Sequence, residues 1–235
     1  MTHFLLIILA LAIAIILHEL AHGVVAYWLG DHTARWAGRL TLNPFKHVDK
    51  TGSIIVPLVL AAGQIISLGR IAFLYGWAKP VPVNPVNLHI GAYRNPRRLM
   101  AIVAIAGPMM NFILALAGGF AMHAAVAMQS IQSLDFLAYF IQINLVLGLF
   151  NLIPLPPMDG GRIAVGVLPL PLAIKLARAE KIGIAAVLLV LFVLPLALEQ
   201  VGIRFDPFRE AMGLVLPAAE RVVLVLTGNG VGTGY

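Results

Sequence analysis

Residues 4–29 form an apolar run of 26 residues whose only Asp, Glu, Lys, Arg or His side chains are His18, Glu19 and His22. A helix rises about 1.5 Å per residue, so this run is long enough to cross the roughly 30 Å hydrocarbon core of a bilayer. It must therefore span lipid while carrying two imidazoles and a carboxylate. No Lys or Arg precedes Arg35, so the positive flank of a secretory leader is missing and the segment reads as a permanent span.

The rest of the chain agrees. Of its 235 residues 60% are hydrophobic and 11% charged, with a mean hydropathy of +0.95, whereas a soluble domain carries about 25% charged residues. A water-soluble enzyme and a disordered chain are both excluded. Cysteine is absent, which removes disulfides, thiolate nucleophiles and Cys-type metal sites, so any metal must be held by His and carboxylate. The net charge of +6 reads as membrane topology and contact with anionic lipid. Nucleic-acid binding is not expected, because no basic stretch is interleaved with aromatics in a soluble module.

Lys and Arg gather in the segments 30–52 and 76–98, which the positive-inside rule assigns to the cytoplasm, leaving the N-terminus outside. Between them, residues 54–75 are apolar but hold Pro57, Gly63, Gln64, Gly69 and Arg70, the marks of a broken or re-entrant segment. Residues 99–128 and 136–155 are each long enough to span and are expected to form an antiparallel pair joined by the polar stretch 129–135. Pro154, Pro156 and Pro157 break the second of these just before Asp159, and 182–198 is a last, shorter apolar run. The expected fold is an all-α polytopic membrane protein. It is a helical bundle of about 4–6 spanning or re-entrant segments, with a small β-strand element after the first helix. Residues 1–227 form a single membrane domain, followed by a flexible Gly-rich tail over 228–235.

His18-Glu19-Leu20-Ala21-His22 is an H-E-x-x-H motif. Residues four apart sit about 40° apart around a helix, so both imidazoles can grip one ion. Glu19, one position on, flanks that ion without binding it and can take a proton from an activated water. A Glu in mid-bilayer costs roughly 3 kcal/mol on the insertion scale. The bland reading, in which these residues only hydrogen-bond neighbouring helices, leaves Glu19 without a cation. A catalytic zinc needs a third protein ligand. Asp159 is the one acid at a helix break, between three prolines and the pair Gly160-Gly161, where backbone can come close and present a carboxylate. Its competing role is a helix cap in an interfacial turn. Depth gives a check: Asp159 reaches the level of His18 and His22 only if residues 54–75 cross an even number of times, so that segment is expected to be re-entrant or hairpin-like.

These motifs resemble the site-2 protease family of membrane-embedded zinc metallopeptidases. The resemblance also covers Gly38-Arg39-Leu40-Thr41-Leu42-Asn43-Pro44, Gly76-Trp77-Ala78-Lys79-Pro80-Val81-Pro82-Val83-Asn84-Pro85, Ala106-Gly107-Pro108-Met109-Met110-Asn111, and the stretch from Asn151 to Arg162. It is closest to the compact form, without a PDZ or nucleotide-sensing module. It implies an intramembrane endopeptidase of the prokaryotic cell membrane that acts on transmembrane protein substrates. By it, His18, His22 and Asp159 are the ligands of one Zn2+ per chain, and Glu19 is general base and proton shuttle. Asn151 holds the substrate or its oxyanion. Met158 stands where the family commonly has Leu, a volume-conserving exchange.

Several assignments stay open on sequence. Asn151 could instead make an interhelical bond, and Asn144 is its rival as oxyanion donor. Residues 39–43 alternate polar and apolar and could be a strand edge that accepts an unwound substrate, or an interfacial loop. His32, His47, His89 and His123 are expected in interfacial or structural roles. Trp28, Trp36 and Trp77 suit an aromatic belt, and Asn111 suits close helix packing. The alternative function is a non-catalytic metal-binding membrane protein, a transporter or inactive homologue. A transporter should spread ionisable groups along a path, whereas here they gather at one level.

Overall fold

The first helix, α1 (Thr2–Trp28), runs unbroken through the opening apolar segment. Its buried positions Ala10, Ala14, His18, Ala21, His22 and Ala26 recur at the three- and four-residue spacing that puts side chains on one helix face. Four of the six are alanine, so neighbouring helices approach closely there. Phe4, Leu5, Ile8 and Leu9 point outward and are exposed. The structure is a computed structural model, and it describes residues 2–69, 76–203 and 205–230.

After α1 come a single turn, α2 (Thr33–Trp36), a 3-10 turn (Pro44–Lys46), and a π-helical turn (Lys50–Ile55) that runs into α3 (Val56–Leu68). Asn43 and Asp49 start the last two by accepting from the N–H groups of Phe45 and Gly52, the usual capping chemistry. The short strand expected over 39–43 is not present: among the described residues the only β pairing is an isolated bridge between Ile90 and Tyr93. The reason is local. The Arg39 N–H bonds Ala34 O, its guanidinium bonds Lys79 O, and Asn43 turns the chain into the 3-10 turn, so no neighbouring strand is offered.

The 13 residues of α3 rise about 20 Å, less than a full bilayer core. The N–H of Trp77 donates to Gly52 O at 3.2 Å, and Ser53 Oγ donates to Trp77 O at 2.9 Å. The chain that leaves at residue 52 is therefore back at its starting level by residue 77, which accords with an even number of crossings. Part of the expected re-entrant stretch, residues 70–75, lies outside the described residues.

The central helix is α4 (Pro96–Ala127), capped by Asn95 and carrying Pro108 within it. It packs against α1, α5 (Ile131–Asn151) and α6 (Asp159–Val167). Its inward face is rich in small residues, Ala101, Ala104, Gly107, Ala115, Gly118 and Gly119, while Ile102, Ile105, Met109, Ile113 and Phe120 face out. Two apolar clusters lie along it. One joins Leu99 and Val103 to Ala26 and Leu88; the other joins Ala115 to Ile141, Leu145 and Val223. Between α4 and α5 the polar stretch 129–135 is shorter as a loop than its composition suggests. Ser130 caps the first turn of α5 by accepting from Ser133 N–H, so its polar residues belong mostly to the helix.

Beyond α6 follow α7 (Leu170–Leu188), a π segment (Leu189–Val193), α8 (Leu194–Gln200) and α9 (Pro207–Leu226), the last packing on α4 and α5. The tail expected to be mobile begins in contact with the bundle, because Asn229 donates to Gly119 O at 2.7 Å and Thr227 O takes a bond from His123. Residues 231–235 lie outside the described residues. Among the described residues, α1, α4 and α5 are long and apolar enough to cross a membrane.

Candidate metal centre

The two histidines reach inward because the buried stripe of α1 passes through both, and α4 meets that stripe at Gly107. A Cβ at 107 would overlap Nε2 of His22 and the ring of His18, so only glycine leaves room between the helices there. Asp159 comes from the start of α6. The first turn of that helix presses on the preceding chain so closely that a Cβ at Gly160 would meet the carbonyl oxygens of Leu152 and Ile153. A carboxylate in the first turn also suits the helix dipole.

Three ligand atoms converge. His18 Nε2 lies 3.2 Å and His22 Nε2 3.1 Å from Asp159 Oδ2, and the two Nε2 atoms are 3.1 Å apart. All three side chains are buried. Zinc bound tetrahedrally at about 2.0–2.1 Å separates its N and O ligands by roughly 3.3 Å, so this triangle has the dimensions of one face of such a site. Its electrostatics point the same way. His22 Nδ1 is 2.8 Å from Val103 O, a group that only accepts, so in the neutral ring Nδ1 carries the hydrogen and Nε2 a lone pair. Asp159 Oδ2 is buried with no hydrogen-bond partner. Buried lone pairs pressed together in this way call for a cation.

Glu19 lies off this triangle. Its Oε2 accepts the Val81 N–H at 2.9 Å, from the Pro-rich segment that runs alongside the second half of α1. Leu40 and Val81 both pack at Gly23, one turn beyond Glu19, so the segments around residues 40 and 80 flank the carboxylate. Asn151 is half-buried at the end of α5, and its Nδ2 donates to Leu147 O at 3.0 Å on its own helix. Its recorded bond does not reach the triangle. Instead Asn111 and Asn144, both fully buried, are linked to His18: His18 Nδ1 is 2.6 Å from Asn111 Oδ1, and Asn111 Nδ2 is 2.8 Å from Asn144 Oδ1.

With this geometry the comparisons with known proteins can be weighed. The family model for peptidase family M50 matches residues 6–127 and 116–194. The chain belongs to family M50. This is the site-2 protease family that the motifs resemble. The chain is 44% identical over 197 residues to "Putative zinc metalloprotease YwhC" of Bacillus subtilis (strain 168), covering 81% of each. It is 32% identical over 162 residues to "Putative zinc metalloprotease Rip2" of Mycolicibacterium smegmatis (strain ATCC 700084 / mc(2)155), covering 67% of this chain and 55% of that protein. No solved structure gives a significant match. As an M50 member the chain is a metalloprotease, and its three long apolar helices fit a membrane protein.

The structure brings His18, His22 and Asp159, the three residues expected to share an ion, into one cluster; Asn111, expected only as a packing residue, lies beside it. A signal was present: Asn111 is four residues after Gly107, hence on the same face of α4 that meets the histidines. Asp31, in the connection after α1, is fully buried and accepts from Thr33, Asn84 and Asn87.

Proposed function

We propose that this chain is a zinc-dependent intramembrane endopeptidase that hydrolyses peptide bonds within or near transmembrane segments of membrane proteins in a prokaryotic cell membrane. The observation that carries this reading is the buried triangle of His18 Nε2, His22 Nε2 and Asp159 Oδ2 with edges of 3.1–3.2 Å, two of whose corners lie on a helix long enough to span lipid. The relatives' names, which are those of zinc metalloproteases, support the choice of metal. A zinc ion held there supplies Lewis acidity toward water and a substrate carbonyl.

The chain's own residues do the rest. Glu19 takes the proton of the attacking water and delivers it to the leaving amine nitrogen as the C–N bond breaks. The Val81 N–H occupies Oε2, which fixes the carboxylate and leaves Oε1 for that proton. Asn151 is proposed as donor to the substrate oxygen; its amide has a second N–H beyond the one given to Leu147 O. A substrate helix must unwind before cleavage.

Zinc content and cleavage of a single-span protein, measured in detergent, test this reading. Glu19→Gln should keep zinc and lose cleavage by about 10²–10⁴-fold, the range for a general base. Asp159→Ala should lose both. Continued cleavage by Glu19→Gln would remove the mechanism, and unchanged zinc in Asp159→Ala would remove the site.

A further inference from the structure

We propose that Asn144, which touches none of the ion's ligands, is a positioning residue that sets the tautomer of His18 through Asn111. This rests on reading His18, His22 and Asp159 as an ion site, and it concerns how the first of them is held ready.

One end of this chain of bonds is a group of fixed polarity. Asn144 Nδ2 lies 2.8 Å from Phe140 O, four residues back on α5. A backbone carbonyl only accepts, so the amino end of the Asn144 amide is the end that faces it. Its carbonyl end, Oδ1, then faces Asn111 at 2.8 Å and must receive a hydrogen. Asn111 therefore presents its own amino end there, and that end also lies 3.5 Å from a second acceptor, Ala14 O on α1. Asn111 Oδ1 is left facing His18 Nδ1 at 2.6 Å. The hydrogen in that contact can only belong to Nδ1, which leaves the lone pair of the neutral ring on Nε2, the atom that faces Asp159 and His22.

Reversing either amide would set oxygen against oxygen at Phe140 or Ala14. Both asparagines are fully buried and His18 nearly so, so water cannot take over a reversed bond. A tautomer at the centre of the bundle is thus dictated by a main-chain carbonyl on α5, with two amides carrying the polarity from helix to helix.

The test uses the purified full-length protein and reads metal rather than activity: zinc affinity by competition with a chelator, and the visible spectrum of the Co2+-substituted protein. Asn111→Leu should weaken zinc binding by about 10–100-fold, as loss of an outer partner of a metal-bound His does. Asn144→Ser, whose hydroxyl can bond Phe140 O but is too short to reach Asn111, should weaken it by about 3–10-fold and shift the Co2+ spectrum. The double variant should bind no worse than Asn111→Leu, because Asn144 acts only through Asn111. Unchanged zinc affinity and an unchanged Co2+ spectrum in Asn144→Ser would overturn the proposal, as would losses that simply add. Should Asn111→Leu not fold, the Asn144→Ser readout decides alone. Asp159→Ala separates the two levels: if it binds zinc as tightly as the parent, the ion site itself is misplaced; if it does not, an unaltered Asn144→Ser counts against the relay only.

Discussion

Around α1, polar side chains are held by two different kinds of partner. Toward the centre of the bundle, His18 and His22 are held by groups on other helices, the Asn111 amide and the Val103 carbonyl. Toward the segment 77–88, Glu19 and Asp31 are held by main-chain N–H groups of Val81 and Asn84. The first arrangement fixes ligands on rigid helices, where positions hold to fractions of an ångström. The second hangs acids on a Pro-rich strap whose prolines at 80 and 82 have no N–H to give. Val81 supplies the one donor between them. Ion binding should therefore depend on helix side chains, and proton transfer on the backbone of a loop.

The sharpest way to break that division is Gly107→Ala. One methyl group would occupy space now held by His22 Nε2 and the His18 ring, and packed helices yield little. Zinc affinity should fall by more than about 100-fold, with helix content by circular dichroism kept. Zinc retained at parental affinity would show that α4 does not close the site as described.

The strap is tested next by Val81→Pro against Val81→Ala. Both replace the buried valine side chain that packs at Gly23, but only proline deletes the N–H given to Glu19. A hydrogen bond to a charged group contributes about 1.5–3 kcal/mol, so cleavage should drop by about 10–100-fold in Val81→Pro. Zinc affinity should stay near the parent's, and Val81→Ala should lose far less activity. Equal losses in the two variants would assign the effect to packing and dissolve the contrast.

The same contrast explains what could be read from sequence. The helices α1, α4 and α5 were legible because apolar runs of spanning length have few other solutions, and the cluster of His18, His22 and Asp159 because H-E-x-x-H in lipid and an Asp at a Pro-Gly break are costly there. Asn111 and Asn144 were not assigned, since a buried amide looks alike whether it bonds its own helix, as Asn151 does with Leu147 O, or a histidine 93 positions away. The alternation over 39–43 was too short a signal. It gave no information on a partner strand, and the segment is tied to Lys79 O instead. Asp31 was missed because its donors, Thr33, Asn84 and Asn87, are assembled by the fold.

Asp31 also gives the smallest expected effect, one that reads the strap's anchorage without touching the ion. Burial alone would push its carboxyl up, but donors from Thr33, Asn84 and Asn87 outweigh it and hold the group below the usual carboxylate value. The unfolded chain takes up this proton near pH 3.9 and the folded chain only at lower pH. The stabilisation is thus complete above about pH 5, and it is lost as pH falls through about 4 and on through the folded value. Asn at this position cannot ionise, and its amino group would oppose one of the donors. At pH 7, Asp31→Asn should unfold more easily than the parent by about 1–3 kcal/mol. That gap should narrow as the pH is lowered from 5 toward 3. All other ionisable groups are the same in both proteins, so their contribution cancels in the difference. A gap that stays constant between about pH 7 and pH 3 would mean that Asp31 is not held ionised by the strap, and the second half of the contrast would then rest on Val81 alone.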